Sequence, residues 1–174
     1  MEYQLEKAIE ILEQTPKTLD AYLSKLSDEW IHCNEGGESW SAFDIVGHLI
    51  HGEKTDWIAR LDIILGNSEN KTFSPFDRFA QFEESKGKTL AELLSTFSEL
   101  REKNIEYLKA LKITEDQYQL KAIHPSLGEV TLKNLLSTWV VHDLGHIAQI
   151  ARVMAKQYKD HIGPWQEYIP IVSK

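Results

Sequence analysis

His142 and His146 stand four residues apart inside the apolar run 132–155. Residues at i and i+4 share one face of a helix, so the two imidazoles can grip one ion from the same side. A third histidine, His48, lies in a second apolar stretch far upstream. If a neighbouring helix brings it alongside, three imidazoles close on one cation in the core of a helical bundle. Three neutral imidazoles with an open fourth position make a catalytic rather than a structural zinc site. The ion would lower the pKa of a water toward neutrality, or hold a thiol as its thiolate. Imidazole suits zinc, nickel, copper and iron alike, so these residues do not choose the metal.

The competing structural reading makes both members of the pair core histidines bonded to backbone or side chains, since two-residue motifs recur by accident. The apolar rows of their helix run through Leu132, Leu135, Leu136, Trp139, Ile147, Ile150 and Val153, and His142 and His146 fall among them. Both are therefore predicted to point inward. His48 is surrounded by Ile45, Val46, Leu49 and Ile50; His51 follows three positions on, and either could complete a trigonal set. His48 is preferred because it lies deeper among apolar neighbours, whereas Gly52-Glu53-Lys54 suggests an exposed or pocket-rim position for His51. Asp44, one turn before His48, is a candidate to orient its ring, in competition with a helix-capping role. Gln149 shares a face with His146 and is a candidate for orienting a substrate. Asp143 points about 100° from His142 and is expected to make a structural hydrogen bond. Cys33 reads as a bystander thiol, and His124 and His161 as exposed loop histidines. No separate general base stands out beside the histidines.

Four long segments must position these groups. The first is predicted from about Glu2 to Leu26, with a break or kink at Thr15-Pro16 because an interior proline loses a hydrogen bond. The second opens with Ser41 as N-cap and Asp44 three residues later, and continues through Leu65 to a stop at Gly66-Asn67. The third opens at the capping box Thr89–Glu92 and runs to about Leu111; the fourth is capped by Thr131 and runs to about Tyr158. Residues 66–88 form a long connection, read as a lid or a short extra helix, in which Phe73, Phe76, Phe79 and Phe82 are expected to pack. Residues 112–130 suggest a small hairpin turning at Pro125–Gly128.

Size and charge bound the alternatives. The 174 residues suit a single domain, 1–174, with 42% hydrophobic and 26% charged residues. A formal charge of −8 without a basic block argues against nucleic acid and against an anionic membrane surface. One cysteine forbids an intramolecular disulfide, in keeping with a cytoplasmic protein. The N-terminal residues do not resemble a signal peptide, and no uncharged apolar stretch reaches the roughly 18 residues of a membrane span.

The segment Trp40-Ser41-Ala42-Phe43-Asp44-Ile45-Val46-Gly47-His48-Leu49, followed by Trp139-Val140-Val141-His142-Asp143-Leu144-Gly145-His146-Ile147-Ala148-Gln149-Ile150, resembles the DinB-like proteins. In that family a tryptophan-led helix start carries one histidine and the last helix carries a pair at i,i+4. The likeness spans nearly the whole chain, including Gly-Glu-Val-Thr-Leu at 128–132. It implies an all-α four-helix bundle holding a divalent metal, commonly zinc or nickel, on His48, His142 and His146. It further implies a metal-dependent enzyme acting on a small molecule, foremost a thiol S-transferase using a low-molecular-weight thiol such as bacillithiol or mycothiol. A metal-dependent hydrolase using a metal-bound water, and a non-catalytic metal- or small-ligand-binding module, are the alternatives. Members often form homodimers through bundle faces, but no interface is legible here.

Overall fold

The computed structural model describes residues 2–173. Helix α1 (Leu5–Leu23) turns Ile9, Leu12, Leu19 and Leu23 into the core. It is continuous through Pro16, so of the break or kink that the sequence predicts there, the break is absent. Proline has no N–H, so the Leu12 carbonyl one turn earlier loses its helical partner. The buried guanidinium of Arg101 donates to that carbonyl at 2.8 Å. A donor from another helix thus replaces the missing one.

After the short α2 (Asp28–His32), helix α3 (Ala42–Thr55) begins with a complete capping box. Asp44 N–H donates to Ser41 Oγ at 3.2 Å, and Ser41 N–H donates to Asp44 Oδ2 at 2.9 Å. The single helix expected to reach Leu65 is instead divided at Asp56, which has φ −111° and ψ −73°, and α4 (Trp57–Leu65) follows. Two contacts accompany the bend. Thr55 Oγ1 donates back to the His51 carbonyl at 2.8 Å, a bond that bends helices. The Trp57 indole also folds over Gly52, where a Cβ would meet its Nε1 at 3.3 Å.

The 66–88 connection contains the short helix α5 (Ala80–Glu84). It rides close on α3 because residue 47 is glycine: a Cβ there would collide with the Ser85 hydroxyl. Of the four phenylalanines, Phe73 is in the core and Phe76 packs on His48 and His51. Phe79 and Phe82 are exposed, at 59% and 42%, so packing accounts for only part of the series. Helix α6 (Leu90–Ala110) starts at the Thr89–Glu92 capping box. The predicted hairpin is present as β1 (Lys121–His124) and β2 (Gly128–Thr131), antiparallel, with Ala122 opposite Val130. Backbone bonds between Ile123 and residues 71 and 73 lash the long connection to β1. Helix α7 (Leu132–Gln157) is capped by Thr131, and 3-10 turns lead to the buried Val172.

The architecture is a four-helix bundle. Helix α6 packs against α1 and α3, while α7 packs against α1, α3 and α4. One apolar cluster contains Leu12, Leu61, Leu108 and Trp139; another contains Leu19, Ile45, Phe97 and Ile150. Arg101, 1% exposed, touches both, with its guanidinium 4.9 Å from the Phe97 ring and 5.2 Å from the Trp139 ring. It donates to Glu53 Oε1 at 2.8 Å and to both Asp143 oxygens, at 2.6 and 3.1 Å. Asn104 and Trp139 complete the shell by donating to Glu53. Among the described residues, no helix is long and apolar enough to cross a membrane.

Removing one member of a buried charge cluster strands the others. Arg101→Met should therefore lower the unfolding free energy by about 3–5 kcal/mol, read from urea denaturation.

Candidate metal centre

The bundle brings together the three histidines that the sequence singles out. His48 projects from α3, and His142 and His146 project from α7. Their Nε2 atoms converge: His142 Nε2 lies 3.1 Å from His48 Nε2 and 3.1 Å from His146 Nε2. The three ligand atoms all lie within 4.8 Å of one another. Two nitrogens bound at roughly 2.0–2.1 Å to a tetrahedral ion sit about 3.3 Å apart, close to the spacing seen.

Hydrogen bonding alone accommodates this cluster poorly. A neutral imidazole carries one N–H and one lone pair. His146 Nδ1 lies 2.8 Å from Gln149 Oε1, which accepts only, so the ring's proton belongs on Nδ1 and its Nε2 lone pair is bare. His142 Nε2–H would then have to serve both neighbouring nitrogens with one hydrogen. A divalent cation at the centre would accept all three lone pairs at once, and the donor set fits it.

Electrostatics keep the rings neutral and ready to ligate. Burial foremost, followed by the neighbouring histidines and arginine charge, pushes the His48 and His142 pKa values down to about 3. Burial also lowers that of His146, with Gln149 and Asp143 opposing the shift. Trp40 packs against His48 at 4.8 Å between centroids, and Trp57 meets His142 edge-on at 5.1 Å.

The other candidates separate. Gln149 touches the cluster, as a partner of His146. Asp44 is occupied by the α3 cap and does not reach the His48 ring. His51 is not at an exposed rim: it is 6% exposed, with Nδ1 2.8 Å from Glu84 Oε1, and lies outside the converging nitrogens. The polar run after it misled, because Glu53 turns inward to Arg101. Asp143 makes the expected structural bond, also to Arg101. Cys33 bonds to the Trp30 carbonyl, and burial raises its pKa. His124 is partly buried rather than exposed, because two backbone amides donate to its Nδ1.

The histidines line a cleft of about 670 Å³. Its walls include Trp40, Trp57, Phe73 and Phe76, with Arg60, Arg78 and Arg152 among them. Sequence reading missed these wall residues. Their signal was weak, since they come from four separate stretches of chain.

A sequence model of the DinB superfamily matches residues 11–150. YfiT of Bacillus subtilis (strain 168), named provisionally as a metal-dependent hydrolase, is 26% identical over 153 residues, covering 86% of this chain and 84% of its own. The solved structure of YfiT, described as having an unusual four-helix bundle topology, superposes with a TM-score of 0.73 at 23% identity. That match covers 88% of this chain and 87% of the other, and it is a likeness of fold.

Two outcomes are expected. Gln149→Leu should weaken zinc affinity about 10–100-fold in a chelator competition, whereas Gln149→Glu keeps an acceptor and should keep affinity. The depressed histidine pKa values also set an acid limit. Folded values lie below the unfolded value of about 6.5, so the stability they carry is complete above that pH. It is lost as pH falls toward 3, and urea denaturation of the metal-free protein should show that slope, reduced in His142→Gln.

Proposed function

This chain belongs to the DinB superfamily, and on that premise we propose that it is a divalent-metal-dependent enzyme whose ion is held by His48, His142 and His146. The observation that carries this reading is the convergence of three Nε2 atoms on one point of the cleft wall. When bound, the ion supplies Lewis acidity, delivering a water or a thiol as an ionised nucleophile at neutral pH. Zinc and nickel both suit three imidazoles.

The chain's own residues do the rest. Gln149 fixes the His146 tautomer so that its Nε2 lone pair faces the cluster. Trp40, Trp57 and Phe76 crowd the rings and limit water around them. Of the three carboxylates lining the cleft, Glu35 is engaged by Arg152 at 2.8 and 2.9 Å and Asp56 by Arg60, while Glu38 has no ion-pair partner among the described residues.

Within this class, the reaction proposed is transfer of a low-molecular-weight thiol to a small electrophile. The cleft follows α7 from Asn134 to Arg152, about 27 Å of helix, with the histidine pair between. It therefore offers space on both sides of the site, as two co-substrates require. The hydrolase reading draws on the name given to YfiT and needs only one substrate arm.

Elemental analysis of untagged protein should find about one divalent ion per chain, and His142→Ala should lower affinity for it by about 100-fold or more. The loaded protein should then be offered a chromogenic aryl halide with a panel of cellular thiols, beside a chromogenic ester. Metal-dependent thioether formation that His142→Ala abolishes is expected. Ester cleavage without thiol consumption would replace the transferase with a hydrolase, and bound metal without turnover of either would leave a binding module.

A further inference from the structure

We propose that the substrate of this cleft carries an oxyanion, a carboxylate or a phosphate, which Arg78 grips at the mouth while the reacting group sits at the three imidazoles. This rests on the functional reading above and adds a substrate class to it.

The argument begins with the cations that line the cleft. Arg60 pairs with Asp56, and Arg152 makes a two-toothed pair with Glu35, which Lys156 also reaches at 3.1 Å. Both guanidiniums are thus committed to the protein's own carboxylates. Arg78 has no carboxylate within ion-pair distance among the described residues. Its neighbour Asp77 accepts from the Phe79 N–H, a local turn bond.

Arg78 is nevertheless placed. Its guanidinium lies 5.6 Å from the Trp40 ring and 5.3 Å from the Phe79 ring, so two aromatic side chains hold it against the cleft although the residue is exposed. Trp40 in turn lies against His48 at 4.8 Å and stacks on His146 at 6.5 Å. One indole therefore separates the guanidinium from the ligating rings. A planar fork of donors aimed at a cleft matches carboxylate or phosphate oxygens in pairs. The chain's −8 charge makes an uncommitted arginine in the histidine-lined cleft harder to explain as solubilising surface.

The molecule fitted by this layout has an anionic end, an apolar body that passes the edge of the indole, and a reacting group beyond it. The exposure of Phe79 and Phe82, unexplained by core packing, fits the same picture, since both belong to the segment that presents Arg78.

The test uses metal-free protein, so that an ion cannot itself attract the anion. 2-Naphthoate, 2-naphthyl phosphate and the neutral 2-naphthamide are titrated while the Trp40 indole N–H signal is followed by NMR. The anionic probes should bind about tenfold or more tightly than the amide. Arg78→Gln should erase that preference, with Arg78→Lys intermediate. Naphthoate alone showing the preference makes the oxyanion a carboxylate; the phosphate ester alone makes it a phosphate. Equal binding of all three probes, or a preference that survives in Arg78→Gln, overturns the proposal. Metal content of the wild type, measured in parallel, reports separately on the three-histidine reading.

Discussion

One guanidinium holds this bundle in register. Arg101 rises from α6 and reaches a backbone carbonyl of α1, a glutamate of α3 and an aspartate of α7. Four helices therefore meet on a single planar group, and its donors fix their relative heights as well as their spacing. Apolar packing alone would tolerate a slide of one helix along another, because Leu, Ile and Phe contacts are non-directional. A buried fork of charge-assisted hydrogen bonds does not tolerate it. Buried polar groups contribute little net stability, and fixing register is the role they serve best.

The imidazole cluster inherits that register. Asp143 is adjacent to His142 in the chain, and Glu53 lies on the same helix as His48. The two carboxylates gripped by Arg101 are thus on the two helices that supply the three imidazoles. A shift of α3 against α7 would break the ion pairs and the histidine convergence together. The aromatic wall covers one side of the rings and leaves the other open to the cleft.

Much of this was legible in the sequence, for reasons that can be named. The three capping boxes, Ser41–Asp44, Thr89–Glu92 and Thr131–Asn134, mark helix starts by local chemistry that tertiary structure does not override. The convergence of the three histidines was readable because i,i+4 spacing on an apolar face is a geometric statement, and because the tryptophan-led segment at 40–49 resembles a known pattern. What escaped depends on contacts distant in sequence. Asp56 divides a helix through Trp57 packing on Gly52, which no periodicity reveals. Pro16 passes unbroken because a partner 85 positions away stands in for its missing N–H. Glu53 sat in a run that read as polar surface. Yet Glu53 follows Leu49 and precedes Trp57 at four-residue steps, and Arg101 follows Phe97 and precedes Ile105 likewise. A charge inside an apolar stripe was the available signal.

The Leu12 carbonyl has a consequence for how this chain can vary. It is orphaned by one residue and rescued by another from a different helix, so positions 16 and 101 form an epistatic pair. A residue with an N–H at 16 would compete with the guanidinium for the same acceptor, and loss of the guanidinium would leave a proline that the helix can no longer absorb. Homologues that keep one should keep the other, and those that relinquish both should have found a different way to lock their helices.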